Sequence, residues 1–287
     1  MIFMGIHTDK PITLCWLLTS KCNYSCKFCF KQSNREEISY DDAVNILEKI
    51  TAIGVKKISF SGGEPLLWSG NVLELIKKAK SLGLITTLIT NGSFLTESYL
   101  KELESHLDWL TLSLDASCEE MQVKVDRPAG HFTKIMELLG KADKFKLKIN
   151  TMVCQYNLDD LTNMVDLIER HHVKRWRIFQ FYPIRDLAIK NQEEYKITDE
   201  EFAYAAQSLM KKADKLSCDI DFATHEKLDK SYFLIAPDAS IYCSANKQDH
   251  FIGNLKNDNI IDLWKSCQFV DKESYWDRTS WVLTEGI

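Results

Sequence analysis

The stretch Lys21-Cys-Asn-Tyr-Ser-Cys-Lys-Phe-Cys-Phe30 holds three cysteines at CxxxCxxC spacing, directly after an apolar run, Ile12 to Leu18, that reads as a strand. Thiolates at such spacing are typical ligands of an iron–sulfur cluster. A four-iron cluster is ordinarily closed by four cysteines, so a loop with three leaves one iron open to a ligand from outside the protein. Zinc is the alternative, but no further cysteine lies between Cys29 and Cys118 to complete a zinc site.

The composition is that of an ordinary globular protein. With 287 residues, 45% hydrophobic and 27% charged, the chain could form one large α/β barrel or two small domains. Its formal net charge of −5 gives no support to broad nucleic-acid or membrane binding. No apolar run is long enough to span a bilayer, and the start, Met1 to His7, is too short for a signal peptide. We therefore expect a cytoplasmic protein that keeps its nine cysteines reduced.

Strand-like and helix-like segments alternate with a period of roughly 30 residues, which predicts βα units and a parallel sheet. Amphipathic stretches near 40–53, 71–82, 96–106, 131–143 and 158–171 separate the strands. Six units predict a partial (β/α)6 barrel over residues 1–190, with a C-terminal α/β cap over 191–287 that covers the substrate site. The six predicted strands are Ile12 to Leu18, Lys57 to Ser61, Ile85 to Thr90, Trp109 to Leu114, Lys146 to Val153 and Arg175 to Phe181.

Several of these strands alternate polar and apolar residues, whereas strands covered by helices on both faces are usually apolar throughout. The apolar side must meet the helices, so the polar side faces the barrel interior. Lys57, Lys148, Arg175 and Arg177 lie on that side, and Asp115 is the evident carboxylate near them. Because buried cations are costly without a partner, the interior is expected to bind an anion, for which a polyphosphate fits.

A second motif, Ser61-Gly-Gly-Glu-Pro65, follows the second predicted strand. Glycines there let the backbone approach a ligand closely. Together with CxxxCxxC, the motif resembles the GGEP segment of the radical S-adenosylmethionine (SAM) enzymes, in which the open iron is chelated by SAM.

A closer resemblance, over most of the chain, is to the viperin family of radical SAM nucleotide dehydratases in its short, prokaryotic-type form. Two departures concern substrate selectivity: the family usually has lysine where Arg177 stands, and asparagine where Cys15 stands. The membrane-binding helix of vertebrate members is absent from this sequence. The resemblance is carried by Cys22 to Phe30, Lys57 to Pro65, Thr90 to Ser93, Leu147 to Thr151, Arg175 to Gln180 and Lys230 to Tyr232.

The resemblance implies roles for individual residues. Cys22, Cys26 and Cys29 would ligate a [4Fe–4S] cluster, and Tyr232 would be a catalytic residue beside the ribose, with a core aromatic as the alternative. The residues implied for SAM are Phe28, Gly62, Gly63, Glu64, Asn91, Ser113 and Arg127. Those implied for the nucleoside triphosphate are Lys57, Ser61, Lys148, Asn150, Arg175 and Arg177.

The implied activity is dehydration of a nucleoside triphosphate, with CTP favoured over UTP or GTP, to its 3′-deoxy-3′,4′-didehydro form. Such a product lacks a 3′-hydroxyl and would terminate viral chain synthesis, an antiviral role. The implied partners are the substrate and a reducing protein such as flavodoxin or ferredoxin, with no direct nucleic acid or membrane, and the protein is expected to be a monomer.

The sequence leaves two alternative functions open. Another radical SAM enzyme, GTP-cyclising or peptide-modifying, would usually carry further cysteine ligands, whereas Cys218, Cys243 and Cys267 lie about 25 residues apart without a CxxC pair. A non-catalytic iron–sulfur protein would keep the cysteine loop but would not need an anion-lined interior.

Overall fold

The computed structural model describes residues 9–214 and 216–285, with side chains to 283, so the Met1 to His7 segment lies outside the described residues. The chain forms two compact units. Among the described residues, the first comprises 9–22, 31–88 and 227–285, and the second comprises 23–30, 89–214 and 216–226. This grouping does not follow chain order, and the expected division between residues 190 and 191 stays a prediction.

The strands of the first unit follow the order β10-β9-β8-β1-β2-β3. β1 pairs in parallel with β2 on one side and with β8 on the other, and β2 pairs in parallel with β3. β8, β9 and β10 are antiparallel. Their bounds are β1 Thr13–Leu17, β2 Lys57–Ser61, β3 Ile85–Thr90, β8 Phe233–Ile235, β9 Ser240–Ala245 and β10 Gln248–Asn254.

The second unit has four parallel strands in the order β4-β5-β6-β7. In the first half of β5, buried apolar residues alternate with partly exposed polar ones. This two-residue period places the polar side chains of neighbouring strands on one face. The bounds are β4 Trp109–Ser113, β5 Lys146–Val153, β6 Arg175–Gln180 and β7 Asp219–Ala223.

Several helices begin at residues whose side chains cap them. Ser39 caps α1, Asn71 caps α2, and Thr198 with Glu201 forms a capping box at α9, so exposed backbone N–H groups are satisfied by side chains. The helices are α1 Tyr40–Ala52, α2 Val72–Ser81, α3 Glu97–Leu103, α4 Glu119–Lys124, α5 His131–Leu139, α6 Val165–Arg170, α7 Asp186–Lys190, α8 Gln192–Tyr195, α9 Asp199–Lys212, α10 His225–Leu228, α11 Ile260–Ser266, α12 Lys272–Thr279 and α13 Val282–Glu285.

The predicted strands agree closely with the observed ones, and three of the six have the observed bounds. The β9–β10 hairpin was not predicted. Its turn residues, Asn246 and Lys247, both have positive φ, at 54° and 59°, which suits the two-residue hairpin turn that matches strand twist. Among the described residues, no helix combines the length and apolarity needed to cross a bilayer.

Candidate active site

The cysteine loop of the second unit is a tight turn. The amide of Cys29 donates to the carbonyl oxygen of Cys26 at 3.1 Å, and the amide of Lys27 donates to Asp126 Oδ2 at 2.6 Å. Burial raises the pKa of Cys26 to about 11, against the opposing charge of Arg127. A thiol with a raised pKa loses its proton readily only when a metal ion takes the place of the proton. Cys26 is therefore suited to be a metal ligand.

Arg127 is the cation beside this turn. Its Nε donates to Asp115 Oδ2 at 2.6 Å, its Nη1 lies 3.8 Å from Cys26 Sγ, and its guanidinium carbon lies 5.0 Å from the centroid of the Phe28 ring. Asp115, which is 1% exposed, also accepts from the amide of Met152 at 2.8 Å. The pair therefore fixes a buried positive charge next to the cysteine loop.

Aromatic packing supports the same loop. Phe28 is 5% exposed and lies 5.8 Å from the ring of Tyr195, which in turn packs 5.7 Å from Phe181. Cys26 and Cys154 belong to this buried cluster. Burying a ring of this size stabilises the folded protein by about 2 kcal/mol, so the aromatic cluster helps to hold the cysteine loop in place.

In the first unit, the glycines of the Ser61 to Pro65 motif pack against the chain that leads into Cys22. Gly62 has φ of 149°, and a Cβ there would lie 2.6 Å from the carbonyl oxygen of Thr19. A Cβ on Gly63 would overlap the carbonyl oxygen of Lys21. The backbones are held by hydrogen bonds from Gly63 N to Thr19 O, 2.7 Å, and from Glu64 N to Lys21 O, 2.8 Å. Only glycine permits this approach.

Glu37 braces the same segment of the first unit. It accepts from Thr19 Oγ1 at 2.5 Å and from the amide of Ser69 at 3.0 Å, and Lys21 Nζ lies 3.1 Å away. Burial alone would raise the pKa of Glu37, but these hydrogen bonds lower it to about 2. No local motif marks Glu37 in the sequence, so it was not predicted as a residue of the site.

The remaining expected SAM residues take these positions. Asn91 of the second unit donates from Nδ2 to Asn23 Oδ1 at 3.0 Å, and Asn23 donates from Nδ2 to Ser93 Oγ at 2.9 Å, so Asn91 is tied to the cysteine loop. Ser113 ends β4, aligned with Asn150 of β5. Glu64 is wholly buried in the first unit.

The residues expected to bind the triphosphate form two rows across the second unit. The first row aligns Thr111, Lys148, Arg175 and Asp219 on β4, β5, β6 and β7. The second row, two residues further along each strand, aligns Ser113, Asn150, Arg177 and Asp221. Residues two apart on a strand share a face, so the structure brings Lys148, Asn150, Arg175 and Arg177 together.

The two rows end on carboxylates that the sequence analysis did not predict. Arg175 Nη1 is paired with Asp219 Oδ2, and Arg177 Nη1 donates to Asp221 Oδ2 at 2.5 Å. Asp115, the carboxylate expected near the strand cations, pairs with Arg127. The sequence does contain a matching pattern: acidic residues alternate with apolar ones in Asp219-Ile-Asp-Phe-Ala223, just as basic residues flank an apolar one in Arg175-Trp-Arg177.

Three expected residues lie in the first unit. Lys57, 5% exposed at the start of β2, places Nζ 4.0 Å from the Trp281 ring centroid, a cation–π contact. Ser61 ends β2, and its carbonyl oxygen accepts from Leu18 N at 2.9 Å. Tyr232 is partly exposed rather than buried in the core.

Arg278 of α12 holds the backbone next to Tyr232. Its Nε and Nη2 donate to the carbonyl oxygen of Ser231 at 3.0 and 2.8 Å, and its guanidinium carbon lies 4.3 Å from the Tyr232 ring centroid. Sequence reasoning missed this residue, because only the fold brings α12 beside residue 232.

The residues fit a cluster and SAM in their chemistry. Three thiols with the spacing of cluster ligands lie on one segment, and the glycines of the first unit leave room that a Cβ would fill beside the chain leading to that segment. Across residues 9–214 and 216–285, no three His, Cys, Asp or Glu side chains already converge as a metal site, so the cluster is assigned from the spacing and the family.

An α/β fold of parallel strands with a CxxxCxxC loop after β1 defines the radical SAM class. The family model described as the Radical SAM superfamily matches residues 16–168. Among solved structures, Streptococcus suis SuiB bound to S-adenosylmethionine has a TM-score of 0.71 at 17% identity, covering 95% of this chain and 68% of that one. Native anSMEcpe with bound AdoMet and a peptide has a TM-score of 0.73 at 16% identity, covering 95% and 87%. These confirm the predicted fold class.

Curated relatives refine the family. A protein of Flammeovirga pacifica named S-adenosylmethionine-dependent nucleotide dehydratase is 32% identical over 91% of this chain and 90% of its own length. A protein of the same name from Lacinutrix mariniflava is 38% identical over 65% of this chain, which spans 42% of that relative. The chain belongs to the radical SAM superfamily, and within it to the viperin-like S-adenosylmethionine-dependent nucleotide dehydratases.

Proposed function

We propose that this protein dehydrates a nucleoside triphosphate, most favourably CTP, to the 3′-deoxy-3′,4′-didehydro nucleotide, and that the product serves antiviral defence as a chain terminator. The observation that carries the proposal is the pair of polar rows across β4 to β7. Lys148 and Arg175 are register partners, as are Asn150 and Arg177. Guanidinium forks bind phosphate oxygens bidentately, and an amide can bind a ribose or base edge.

The same proposal assigns Lys57 and Ser61 of β2 to the nucleotide, on the strength of the family resemblance. Lys57 is nearly buried and lies over an aromatic ring, which keeps its charge in a dry environment. Cations in such surroundings interact with phosphate more strongly than they would in water.

Cys22, Cys26 and Cys29 would hold the cluster, and Phe28, Gly62, Gly63, Glu64, Asn91, Ser113 and Arg127 would bind SAM or shape its pocket. Arg127, fixed by Asp115, would balance thiolate charge at Cys26. The buried ring of Phe28 would keep water from the reacting carbon.

When bound, the cluster and SAM would supply a 5′-deoxyadenosyl radical able to remove the C4′ hydrogen of the nucleotide. The resulting C4′ radical would take up one electron and one proton as its 3′-hydroxyl leaves as water, and a C3′=C4′ double bond would form. The phosphate-binding cations would hold C4′ within reach, and Tyr232, whose hydroxyl can move a proton, would supply the proton to the departing 3′-hydroxyl. A flavodoxin- or ferredoxin-like protein would supply electrons.

The decisive experiment is anaerobic. The reconstituted protein is given dithionite and SAM with CTP, UTP, GTP or ATP, and 5′-deoxyadenosine and nucleotide masses are followed by mass spectrometry. A nucleotide product lighter by one water supports the proposal. If 5′-deoxyadenosine forms while every nucleotide stays intact, the dehydratase proposal fails. A loaded cluster without SAM cleavage would favour a non-catalytic iron–sulfur protein.

Two variants sharpen this assay. Cys26→Ala should lose iron and SAM cleavage, while the exposed Cys118→Ala should lose neither. Lys148→Ala should raise KM for the nucleotide by at least tenfold while 5′-deoxyadenosine can still form. Lys144→Ala, an exposed lysine just before β5, is the matched control.

A further inference from the structure

The carboxylates at the ends of the two polar rows have no role in the proposed chemistry as it stands. Asp219 and Asp221 lie on β7, in register with Arg175 and Arg177 of β6. Asp221 Oδ2 lies 2.5 Å from Arg177 Nη1 and 3.5 Å from Arg175 Nη2, so one carboxylate serves both arginines.

The side chains of the two arginines are nearly buried, and those of the two aspartates are more exposed. The exposed fractions of the side chains are 8% for Arg175 and 11% for Arg177, against 43% for Asp219 and 18% for Asp221. A charged group in such surroundings loses much of its hydration and depends on its counter-ion. The two aspartates therefore supply formal charge that offsets the two arginines when no anion is bound.

An incoming phosphate meets guanidinium groups that already donate to these carboxylates, and it meets the negative charge of the carboxylates at close range. Two anions near one cation repel each other, more strongly in a partly buried site than in water. A phosphate group therefore gains less from Arg175 and Arg177 than it would from the same arginines without the aspartates.

We propose that Asp219 and Asp221 are internal competitors of the phosphate chain, which lower the affinity of the arginine pair for polyphosphate anions. This inference rests on the proposed function only in assigning the bound anion to a nucleotide. The consequence is selectivity for nucleotides over inorganic polyphosphates, which bind weakly because they offer only phosphate groups. A nucleotide gains further affinity from contacts to its nucleoside. The weakened phosphate contacts also favour release of the product after reaction.

The test compares the reconstituted wild-type protein with Asp221→Asn and Asp219→Asn, using calorimetry with tripolyphosphate, pyrophosphate and CTP. Each variant should bind tripolyphosphate more tightly by roughly three- to tenfold, the range expected for removing one negative charge beside a partly buried anion site. The gain should shrink as salt is added. Inhibition of nucleotide turnover by pyrophosphate should strengthen in parallel.

Glu169→Gln is the matched control, because it makes the same charge change at an exposed position of α6 in the same unit. Asp221→Glu keeps the charge and should stay close to wild type. Asp219, the more exposed aspartate, gives a variant that tolerates substitution if Asp221→Asn does not fold. Equal or weaker tripolyphosphate binding by the folded Asn variants, or no polyphosphate binding by any of the proteins, overturns the inference.

The two proposals fail separately. If no nucleotide is dehydrated but the Asn variants bind tripolyphosphate more tightly, the proposed function fails and the competitor role of the aspartates stands. If CTP is dehydrated and the variants show no gain in anion affinity, the competitor role fails and the proposed function stands.

Discussion

Arg127 and Asp115 form a buried ion pair, with Nε 2.6 Å from Oδ2, that joins the start of the α4–α5 connection to the end of β4. Asp115 is nearly inaccessible, and its other carboxylate oxygen accepts from the Met152 amide. The pair is therefore built into the sheet rather than attached to its surface, and the guanidinium is presented to Cys26 and Phe28 in a fixed orientation.

Replacing Arg127 by Met should leave the Asp115 carboxylate buried without its cation, at a cost of about 3–5 kcal/mol in the free energy of unfolding. Arg127→Lys should keep the charge but lose the fork geometry, so it should be less destabilised and still weaken SAM binding by about tenfold. Urea unfolding and equilibrium dialysis of SAM measure the two effects. Lys124→Met, exposed on α4, is the control, and an Arg127→Met variant as stable as this control would contradict the buried-pair argument.

Gly63→Ala should disturb the cysteine segment through the backbone. The new Cβ would meet the carbonyl oxygen of Lys21, which cannot move without displacing Cys22. We expect reconstituted iron content and SAM binding to fall several-fold while the secondary structure by circular dichroism is kept. Gly140→Ala is matched, since its Cβ would lie at an ordinary 3.5 Å from the nearest atom. Iron loading equal in the two variants would show that the close approach is not required.

Glu37 should give the cluster-free protein a stability that depends on pH. Its pKa is lowered to about 2 in the folded state, from about 4.3 in an unfolded chain. The unfolded state therefore binds the proton first, so the contribution of Glu37 is complete above about pH 4.3 and is lost as pH falls toward 2.

The measurement is urea unfolding from pH 7 to pH 3 for wild type and Glu37→Gln. The wild type should be more stable by about 2 kcal/mol at pH 7, and the difference should shrink steadily below about pH 4.5. Glu74→Gln, on exposed α2 surface, should track the wild type. A difference that is constant over the whole range would mean that the carboxylate charge is not what stabilises the segment.

Local sequence signals predicted part of this fold well. β2, β3 and β5 have the predicted bounds because β3 is composed of β-branched and apolar residues, while β2 and the first half of β5 alternate such residues with polar ones. β7 has a weaker local signal, because it begins at Asp219 and aspartate is depleted in strands. The β9 strand was missed, although all six of its residues are buried and it pairs with β8 on one side and β10 on the other.

Some residues of the candidate site could likewise be predicted from local sequence, and others could not. Cys22, Gly62 and Gly63 carry local signals, since thiol spacing and a need for glycine are visible in the chain itself. The pairing of Arg177 with Asp221 depends on β6 and β7 being neighbours, and 44 residues separate the partners. The contact of Arg278 with Ser231 spans 47 residues. Contacts of this kind follow from topology, which periodicity alone does not specify.

Tyr232→Phe tests whether the hydroxyl of this residue takes part in the reaction. The substitution keeps the ring under the Arg278 guanidinium, so the cation–π contact and the bonds to the Ser231 carbonyl oxygen should remain and stability should not change. If the hydroxyl transfers the proton that lets the 3′-hydroxyl leave as water, dehydrated nucleotide should fall by roughly 100-fold. 5′-Deoxyadenosine should still form, because hydrogen abstraction precedes that step, so the ratio of 5′-deoxyadenosine to product should rise. Tyr204→Phe, at a 72% exposed site on α9, is the matched control. If the ratio of 5′-deoxyadenosine to product is unchanged in Tyr232→Phe, the role of Tyr232 is packing beside Arg278, and the proton comes from another donor.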